Sequence, residues 1–279
     1  MVLYGAGGLG YYAYAKFKNK FDIIAYADSE KDKQSLTVHG LPVYPPDALK
    51  QIDCDVIEIC SSSAEIIKHI LVSEYMINEN KISTVFIEQS NAARENTLLL
   101  ISKTINNEKI AGNVAELGVY CGNFAKEINR YFSDCTLYLF DTFEGFPRQD
   151  ELYDIEKGFS SYKASYMKTT NVDEILNVMP YPKSCIVKQG YFPDTIEGLE
   201  DSFVFVSLDP DLYKPVLEGL RYFYPRLQNG GFVMIHDYFN PFFLGVREAV
   251  KDYEIEIGYC LPKIPVGDLM SIVLQKITD

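Results

Sequence analysis

The 279-residue sequence lacks three features that would each point to a particular class of protein. No apolar stretch approaches the roughly 20 residues that span a bilayer, so no membrane span is expected. No basic segment with a cleavage site opens the chain, and we therefore expect a cytoplasmic protein. No Cys-x-x-Cys pair predicts a zinc or redox motif, and reduced buried thiols are expected for Cys54, Cys60, Cys121, Cys135, Cys185 and Cys260.

Positive charge is also scarce. Lys and Arg number 26 against 39 Asp and Glu, which gives a net charge of -13. Nucleic acid is not an expected partner, because nucleic-acid binding depends on Lys and Arg that neutralise phosphates. The hydrophobic content of 47% and the aromatic content of 14% are typical of a globular protein with an apolar core.

Short apolar runs alternate with amphipathic segments, which predicts an α/β fold. The length and a mostly polar, helical stretch over 89–109 predict two Rossmann-like domains, residues 1–88 and 89–279, the second with a doubly wound sheet. Strands of the first domain are predicted at 2–4, 22–27, 43–44, 56–60 and 84–87. Those of the second are predicted at 113–117, 136–140, 186–187, 203–208, 232–235 and 271–274. Residues 148–180 interrupt this alternation and are interpreted as an insertion or active-site lid.

A first Gly-rich turn, Gly5-Ala-Gly7-Gly-Leu-Gly10, follows a strand and opens a helix, as a dinucleotide site requires. Its glycines permit a tight turn and a close approach to a pyrophosphate, and Asp28 ends the next strand, where a carboxylate can bind a ribose. NAD(P) or another nucleotide is therefore a candidate ligand. The alternative is a Rossmann-like domain that keeps the turn for helix–strand packing.

A second turn, Glu116-Leu-Gly118-Val-Tyr-Cys-Gly122, has the same position between a strand and a helix. Gly118 and Gly122 let the backbone approach a ligand, and Glu116 places a carboxylate where an ammonium or ribose group would lie. Asp141 ends the following strand, where a ribose diol would be held. A cationic sulfonium amino acid would suit this acidic turn. The alternative is a glycine turn with solvated acids at the strand ends.

Four segments, 116–122, 141–147, 208–213 and 224–238, together resemble the macrocin O-methyltransferase family of metal-dependent sugar O-methyltransferases. The resemblance covers roughly residues 90–276. It implies a class I methyltransferase fold, S-adenosylmethionine as cofactor, and an acceptor hydroxyl on a sugar or glycosylated small molecule. The first domain more loosely resembles Rossmann-type domains of bacterial polysaccharide-modifying enzymes, through its Gly-rich turn, Asp28 and residues 40–44.

Acidic residues and a histidine follow two later strands. Asp209 and Asp211 come after one strand, and His236 and Asp237 come after the next. Ligands of open α/β sheets bind at the carboxyl ends of strands, so we expect these four side chains to converge. A sugar hydroxyl holds its proton tightly, and methyl transfer to it needs a positioned base, an acidifying metal ion, or both.

The resemblance implies a divalent ion, Mg²⁺ in the family pattern, held by Asp209 and by the pair His236 and Asp237. This chain departs from the usual two adjacent acids, because imidazole suits transition metals better than Mg²⁺. His236 is therefore either a general base or a ligand in a site with altered metal preference. A histidine with satisfied hydrogen bonds at a strand end is the structural alternative. Asp211 is either catalytic or a helix cap.

Gln189 and Gly190 follow the third strand of the second domain, where the adenine would be bound. The leading hypothesis is O-methyl transfer with Asp209 and His236 as catalytic residues. The alternatives are an NAD(P)-linked sugar-modifying activity of the first domain, or a docking or homo-oligomerisation role for that domain.

Overall fold

The computed structural model describes residues 1–160 and 171–277. The chain forms two compact units, Met1–Ala93 and Arg94–Asp279. Part of the predicted insertion, residues 161–170, lies outside the described residues. Among the described residues, no helix combines the length and the apolar character needed to cross a membrane.

The first unit contains a six-stranded sheet. Its strands are β1 (Val2–Tyr4), β2 (Ala25–Ala27), β3 (Thr37–Val38), β4 (Leu41–Tyr44), β5 (Ile57–Ile59) and β6 (Ile82–Ser83), and its helices include α1 (Gly8–Phe17) and α2 (Ala64–Ser73). The strand order is β3-β4-β2-β1-β5-β6, and all pairs are parallel except β3 with β4. A short 3₁₀ helix, Pro46–Lys50, follows β4.

The strand predicted at 84–87 is wrong. Strand β6 ends at Ser83, and a long helix α3 (Val85–Glu108) begins there. The Thr84 hydroxyl donates to the Glu88 carboxylate, and the Phe86 N–H donates to Glu58 Oε1 at 2.7 Å. The apolar run therefore forms a first helical turn, because a short apolar run does not by itself distinguish a strand from a buried helix.

The second unit contains a seven-stranded sheet. Its strands are β7 (Asn113–Leu117), β8 (Leu137–Asp141), β9 (Cys185–Gln189), β10 (Phe203–Leu208), β11 (Leu227–Ile235), β12 (Ile264–Pro265) and β13 (Ile272–Gln275). Its described helices after α3 are α4 (Asn123–Tyr131), α5 (Arg148–Lys157), α6 (Val172–Val178), α7 (Tyr213–Arg226) and α8 (Leu244–Ile257). The described part of the predicted insertion thus contributes two helices, α5 and α6.

The strand order of this sheet is β12-β13-β11-β10-β7-β8-β9. Strand β13 pairs antiparallel with β11 and β12, and the remaining pairs are parallel. The chain order reverses between β7 and β10, and in doubly wound sheets ligands bind beside the carboxyl ends of the strands at such a reversal. This arrangement agrees with the predicted doubly wound sheet and directs attention to the ends of these two strands.

Helices cover both faces of the sheet. All six residues of β10 are buried, as expected of a parallel strand packed on two sides. On one face, Phe223 and Val246 belong to the apolar core around α7 and α8. On the other, Leu98 and Ile128 belong to the core around α3 and α4. Two packed layers of this kind hold the strand ends in fixed positions.

Candidate active site

Gly118 brings the ends of β7 and β10 together. It has a φ of +88°, and a Cβ atom added to it would lie 2.2 Å from the carbonyl oxygen of Asp209. The Asp209 N–H in turn donates to Leu117 O at 2.8 Å. Only glycine permits this contact between two backbones. Gly118 therefore fixes the position of Asp209, a role in addition to the predicted approach to a ligand.

Gly122 shapes the other end of the same turn. Its φ of +75° is left-handed, and it directly precedes α4. An added Cβ would lie 2.9 Å from Ile175 Cγ2, a side chain of α6. The predicted insertion therefore packs directly against the Gly-rich turn.

The carboxylate of Asp141 holds this turn. Its Oδ2 accepts from the N–H groups of Val119 at 2.7 Å and Tyr120 at 2.9 Å, while Oδ1 accepts from Phe143 at 2.8 Å. Tyr120 has a φ of +50°, a backbone conformation that residues other than glycine rarely adopt. The Asp141 carboxylate therefore stabilises a strained loop. Binding of a ribose by Asp141 stays a prediction.

Gln189 and Gly190 lie beside Asp141. Gln189 is its partner in the parallel pair of β8 and β9, and the Gly190 N–H donates to Asp141 O at 2.9 Å. The structure therefore brings these two residues to the same sheet edge as the Gly-rich turn.

Glu116 lies inside β7 with only 1% of its surface exposed. Its Oε2 has no hydrogen-bond partner among the described residues. Burial raises the pKa of its carboxyl well above the ordinary value, although Arg94 acts in the opposite direction. A buried oxygen without a partner is costly, so this atom fits a site completed by a polar ligand or water.

Asp209, His236 and Asp237 form a compact cluster at the ends of β10 and β11. His236 Nδ1 lies 3.0 Å from Asp209 Oδ1 and 3.4 Å from Asp237 Oδ1. This buried nitrogen has no well-directed hydrogen bond among the described residues. One ligand atom from each of the three side chains lies within 4.8 Å of the others. The donor set of one nitrogen and two oxygens therefore fits a divalent cation.

Electrostatics within the cluster favour the charged forms. Burial alone would lower the pKa of His236, but Asp209 and Asp237 raise it well above its ordinary value. Burial would likewise raise the pKa of Asp237, but His236 and hydrogen bonds from its neighbours lower it. The two carboxylates and the imidazole therefore stabilise one another, and a cation bound at His236 Nδ1 would have to displace the proton that they favour.

Asp211 is not the cap of helix α7. The residue that precedes the helix is Leu212, and the first helical N–H, that of Tyr213, donates to Asp154 Oδ2 at 3.2 Å. Asp211 has a φ of +59° and its carboxyl is hydrogen-bonded to that of Asp237. Burial raises the pKa of Asp211 well above its ordinary value, and the two neighbouring acids Asp237 and Asp209 raise it further. The helix-cap interpretation is therefore wrong, because Asp211 faces the acidic cluster.

Arg94 is a residue of this cluster that the sequence did not reveal. Its Nη2 donates to Asp209 Oδ2 at 2.9 Å, and its guanidinium carbon lies 3.8 Å from the centroid of the Phe124 ring. It precedes Asp209 by 115 residues and lies in a mostly polar helix, where nothing in the local pattern distinguishes it.

The first Gly-rich turn makes contacts of a different kind. A Cβ on Gly5 would lie 2.6 Å from Cys60 O, and one on Gly10 would lie 1.8 Å from Gly5 O. Gly7 is the residue before α1. The Asp28 carboxylate accepts from the N–H of Ala6 at 2.9 Å and pairs with the Lys33 ammonium at 3.4 Å. Packing accounts for Gly5 and Gly10, and a nucleotide at this turn stays a prediction.

Comparison with known proteins agrees with the geometry of the second unit. The model of the family described as Macrocin-O-methyltransferase (TylF) matches residues 90–267. Mycinamicin III 3''-O-methyltransferase of Micromonospora griseorubida is 26% identical over 171 residues, which cover 53% of this chain and 63% of the relative. A second relative, 8-demethyl-8-(2,3-dimethoxy-alpha-L-rhamnosyl)-tetracenomycin-C 4'-O-methyltransferase of Streptomyces olivaceus, is 26% identical over 180 residues, 57% of this chain and 64% of the relative. The chain thus spans less than two thirds of either relative.

Solved structures show the same fold. The O-methyltransferase NovP superposes with a TM-score of 0.56 at 20% identity, covering 67% of this chain and 80% of NovP. The calicheamicin methyltransferase CalS11 gives a TM-score of 0.55 at 16% identity, covering 76% of this chain and 91% of CalS11. The family match covers well over half of the sequence and includes the Gly-rich turn and the Asp209 cluster. The chain belongs to the macrocin O-methyltransferase family.

Proposed function

We propose that the protein transfers the methyl group of S-adenosylmethionine to a hydroxyl of a sugar or glycosylated small molecule. One observation carries this proposal: the turn after β7 lies directly beside the Asp209, His236 and Asp237 cluster, through the contact of Gly118 with Asp209. A cofactor turn and a cation cluster side by side suit transfer to a poorly acidic hydroxyl. The names of both relatives describe O-methyltransferases, and one of them includes a rhamnosyl group.

In this proposal the cofactor binds along the turn that Asp141 holds in shape. Glu116, Gly118, Gly122, Gln189 and Gly190 border it, and the unpartnered Oε2 of Glu116 is available to an N–H or O–H donor. When bound, S-adenosylmethionine supplies a methyl group on a positively charged sulfur. The acceptor oxygen attacks the methyl carbon in line with the departing sulfur, and the protein contributes by aligning the two.

We further propose that Asp209, His236 and Asp237 hold a divalent cation, whose chemistry is to acidify the acceptor hydroxyl. His236 Nδ1 lies close to one oxygen of each carboxylate, a geometry that favours a shared ligand set over a free general base. Nitrogen in the set favours Mn²⁺ or another transition metal over Mg²⁺. Asp211 lies outside the trio; its raised pKa keeps it protonated, so it would donate a hydrogen bond to Asp237, and the hydroxyl proton would pass to water.

Calorimetry with S-adenosylmethionine, followed by a methyl-transfer assay over nucleotide sugars and glycosides, tests the proposal. We expect saturable binding by the wild-type protein and formation of S-adenosylhomocysteine with an acceptor from this panel. The variant Asp209→Asn should bind the cofactor but transfer slowly, because the ion loses a charged ligand. Folded wild-type protein that releases no heat with S-adenosylmethionine would refute the proposal.

For the first unit we propose a non-catalytic docking or homo-oligomerisation role rather than an NAD(P)-linked activity. Oδ2 of Asp28 already binds the Ala6 N–H and Lys33, and Oδ1 accepts from the Glu30 N–H at 3.0 Å, so the carboxylate is engaged by the chain itself. Titration of the full-length protein with NADH and NADPH should produce no change in nucleotide fluorescence. Saturable binding of either nucleotide would restore the alternative.

A further inference from the structure

We propose that Arg94 is a positioning residue of the cation site, which it prepares by holding one oxygen of Asp209. This inference rests on the proposed function, because it assigns a role to a residue of that same site. The residue is Arg94 on helix α3, and the group on which it acts is the carboxylate of Asp209.

The two oxygens of Asp209 have separate partners. Oδ2 accepts from Arg94 Nη2 at 2.9 Å, whereas Oδ1 lies 3.0 Å from His236 Nδ1, on the side where the three ligand atoms converge. A carboxylate fixed at one oxygen cannot rotate freely about its terminal bond. Arg94 therefore presents Oδ1 to the cation as a single ligand atom and disfavours binding through both oxygens.

The guanidinium is itself held in place. It stacks on the Phe124 ring at 3.8 Å, and its side chain is only 14% exposed. One turn further along α3, Leu98 is fully buried, and the Tyr131 hydroxyl of α4 donates to Glu95 Oε1 at 2.7 Å. Helix α3 is thus anchored directly after Arg94, and the planar group can stack and donate at the same time. A lysine ammonium cannot reproduce this combination.

The charges around Arg94 suit the same role. Asp209 lowers the cost of burying the guanidinium, and in return His236 and Arg94 keep the pKa of Asp209 below its ordinary value despite burial. The Nε–H of Arg94 has no partner among the described residues, so the side chain is not committed to a closed structural network. A group that orients a ligand carboxylate commonly changes metal affinity about 10-fold to 100-fold when it is removed.

Binding of Mn²⁺ alone to the full-length protein tests the proposal, with free Mn²⁺ measured by electron paramagnetic resonance. Arg94→Met should weaken binding about 10-fold or more and alter the zero-field splitting of bound Mn²⁺, because Asp209 becomes free to bind through both oxygens. Arg94→Lys keeps the charge without the planar group and should also bind more weakly than the wild type. The matched control is Arg130→Met, which removes an exposed arginine paired with Glu127 on α4 and should change neither value.

Unchanged or tighter Mn²⁺ binding by Arg94→Met would overturn the proposal, since Arg94 would then act at most as a repelling charge. Wild-type affinity in Arg94→Lys would overturn the orienting role in favour of charge alone. Wild-type protein that binds S-adenosylmethionine but no Mn²⁺ would also overturn it, because no ion would need positioning. Absence of cofactor binding would refute the proposed function separately and leave the Mn²⁺ comparison readable.

Discussion

Replacement of Asp141 by asparagine should weaken binding of S-adenosylmethionine. One oxygen of Asp141 accepts two backbone N–H groups, of Val119 and Tyr120, and the other accepts the N–H of Phe143. An asparagine has one oxygen and one NH₂ group, so in either orientation an NH₂ group faces at least one backbone N–H. Hydrogen bonds to a charged acceptor contribute about 1.5–3 kcal/mol each, so the loss of one bond corresponds to about 10-fold to 150-fold.

Calorimetric titration of Asp141→Asn with S-adenosylmethionine measures the loss of cofactor affinity. Thermal unfolding of the unliganded protein measures how far the lost hydrogen bond also lowers the stability of the fold. Glu144→Gln is the matched control, because Glu144 is an exposed acid three residues away in the same segment. We expect Asp141→Asn to bind at least about 10-fold more weakly and Glu144→Gln to bind normally. An Asp141→Asn protein with wild-type affinity and an unchanged melting temperature would refute the loop-holding role.

Three further predictions concern single residues. Gly118→Ala should destabilise the protein by more than about 2 kcal/mol in urea unfolding, because its Cβ would lie 2.2 Å from Asp209 O, and a smaller loss would contradict the contact. Burial raises the pKa of Asp154 to about 6 in the folded state, so wild-type stability relative to Asp154→Asn should fall as pH rises from about 4 to 6. A difference in urea midpoint between the wild type and Asp154→Asn that stays the same at pH 4, 5, 6 and 7 would contradict this. His236→Glu should shift the metal preference from Mn²⁺ towards Mg²⁺ in competition titrations, and an unchanged ratio of affinities would exclude His236 as a ligand.

Sequence patterns located the strands of the second unit well where both faces are buried. The predicted bounds of β7 and β10 agree with the structure, because continuous apolar runs between polar segments are typical of central parallel strands. The same signal misled at 84–87, where a short apolar run begins helix α3. Composition alone does not separate these cases. At 84–87, hydrogen bonds to the Glu58 and Glu88 carboxylates favour the helix.

The site was predictable where it depends on strand ends. Asp209, His236 and Asp237 were expected to converge because each follows a strand of a parallel sheet, and they do. Arg94 was not predictable, since it reaches Asp209 from a separate helix. The sequence also could not show that Gly118 approaches the backbone of Asp209, or that the backbone of Asp211 turns its carboxyl towards Asp237. These features depend on tertiary packing.

A crystal structure of the full-length protein with S-adenosylhomocysteine and Mn²⁺ tests the central claim most directly. The account predicts the nucleoside along the turn from Glu116 to Gly122, and Mn²⁺ bound by Asp209, His236 and Asp237. Anomalous scattering at the manganese edge would locate the ion independently of the ligand. S-adenosylhomocysteine bound at the Gly5–Gly10 turn, or Mn²⁺ away from these three side chains, would contradict it.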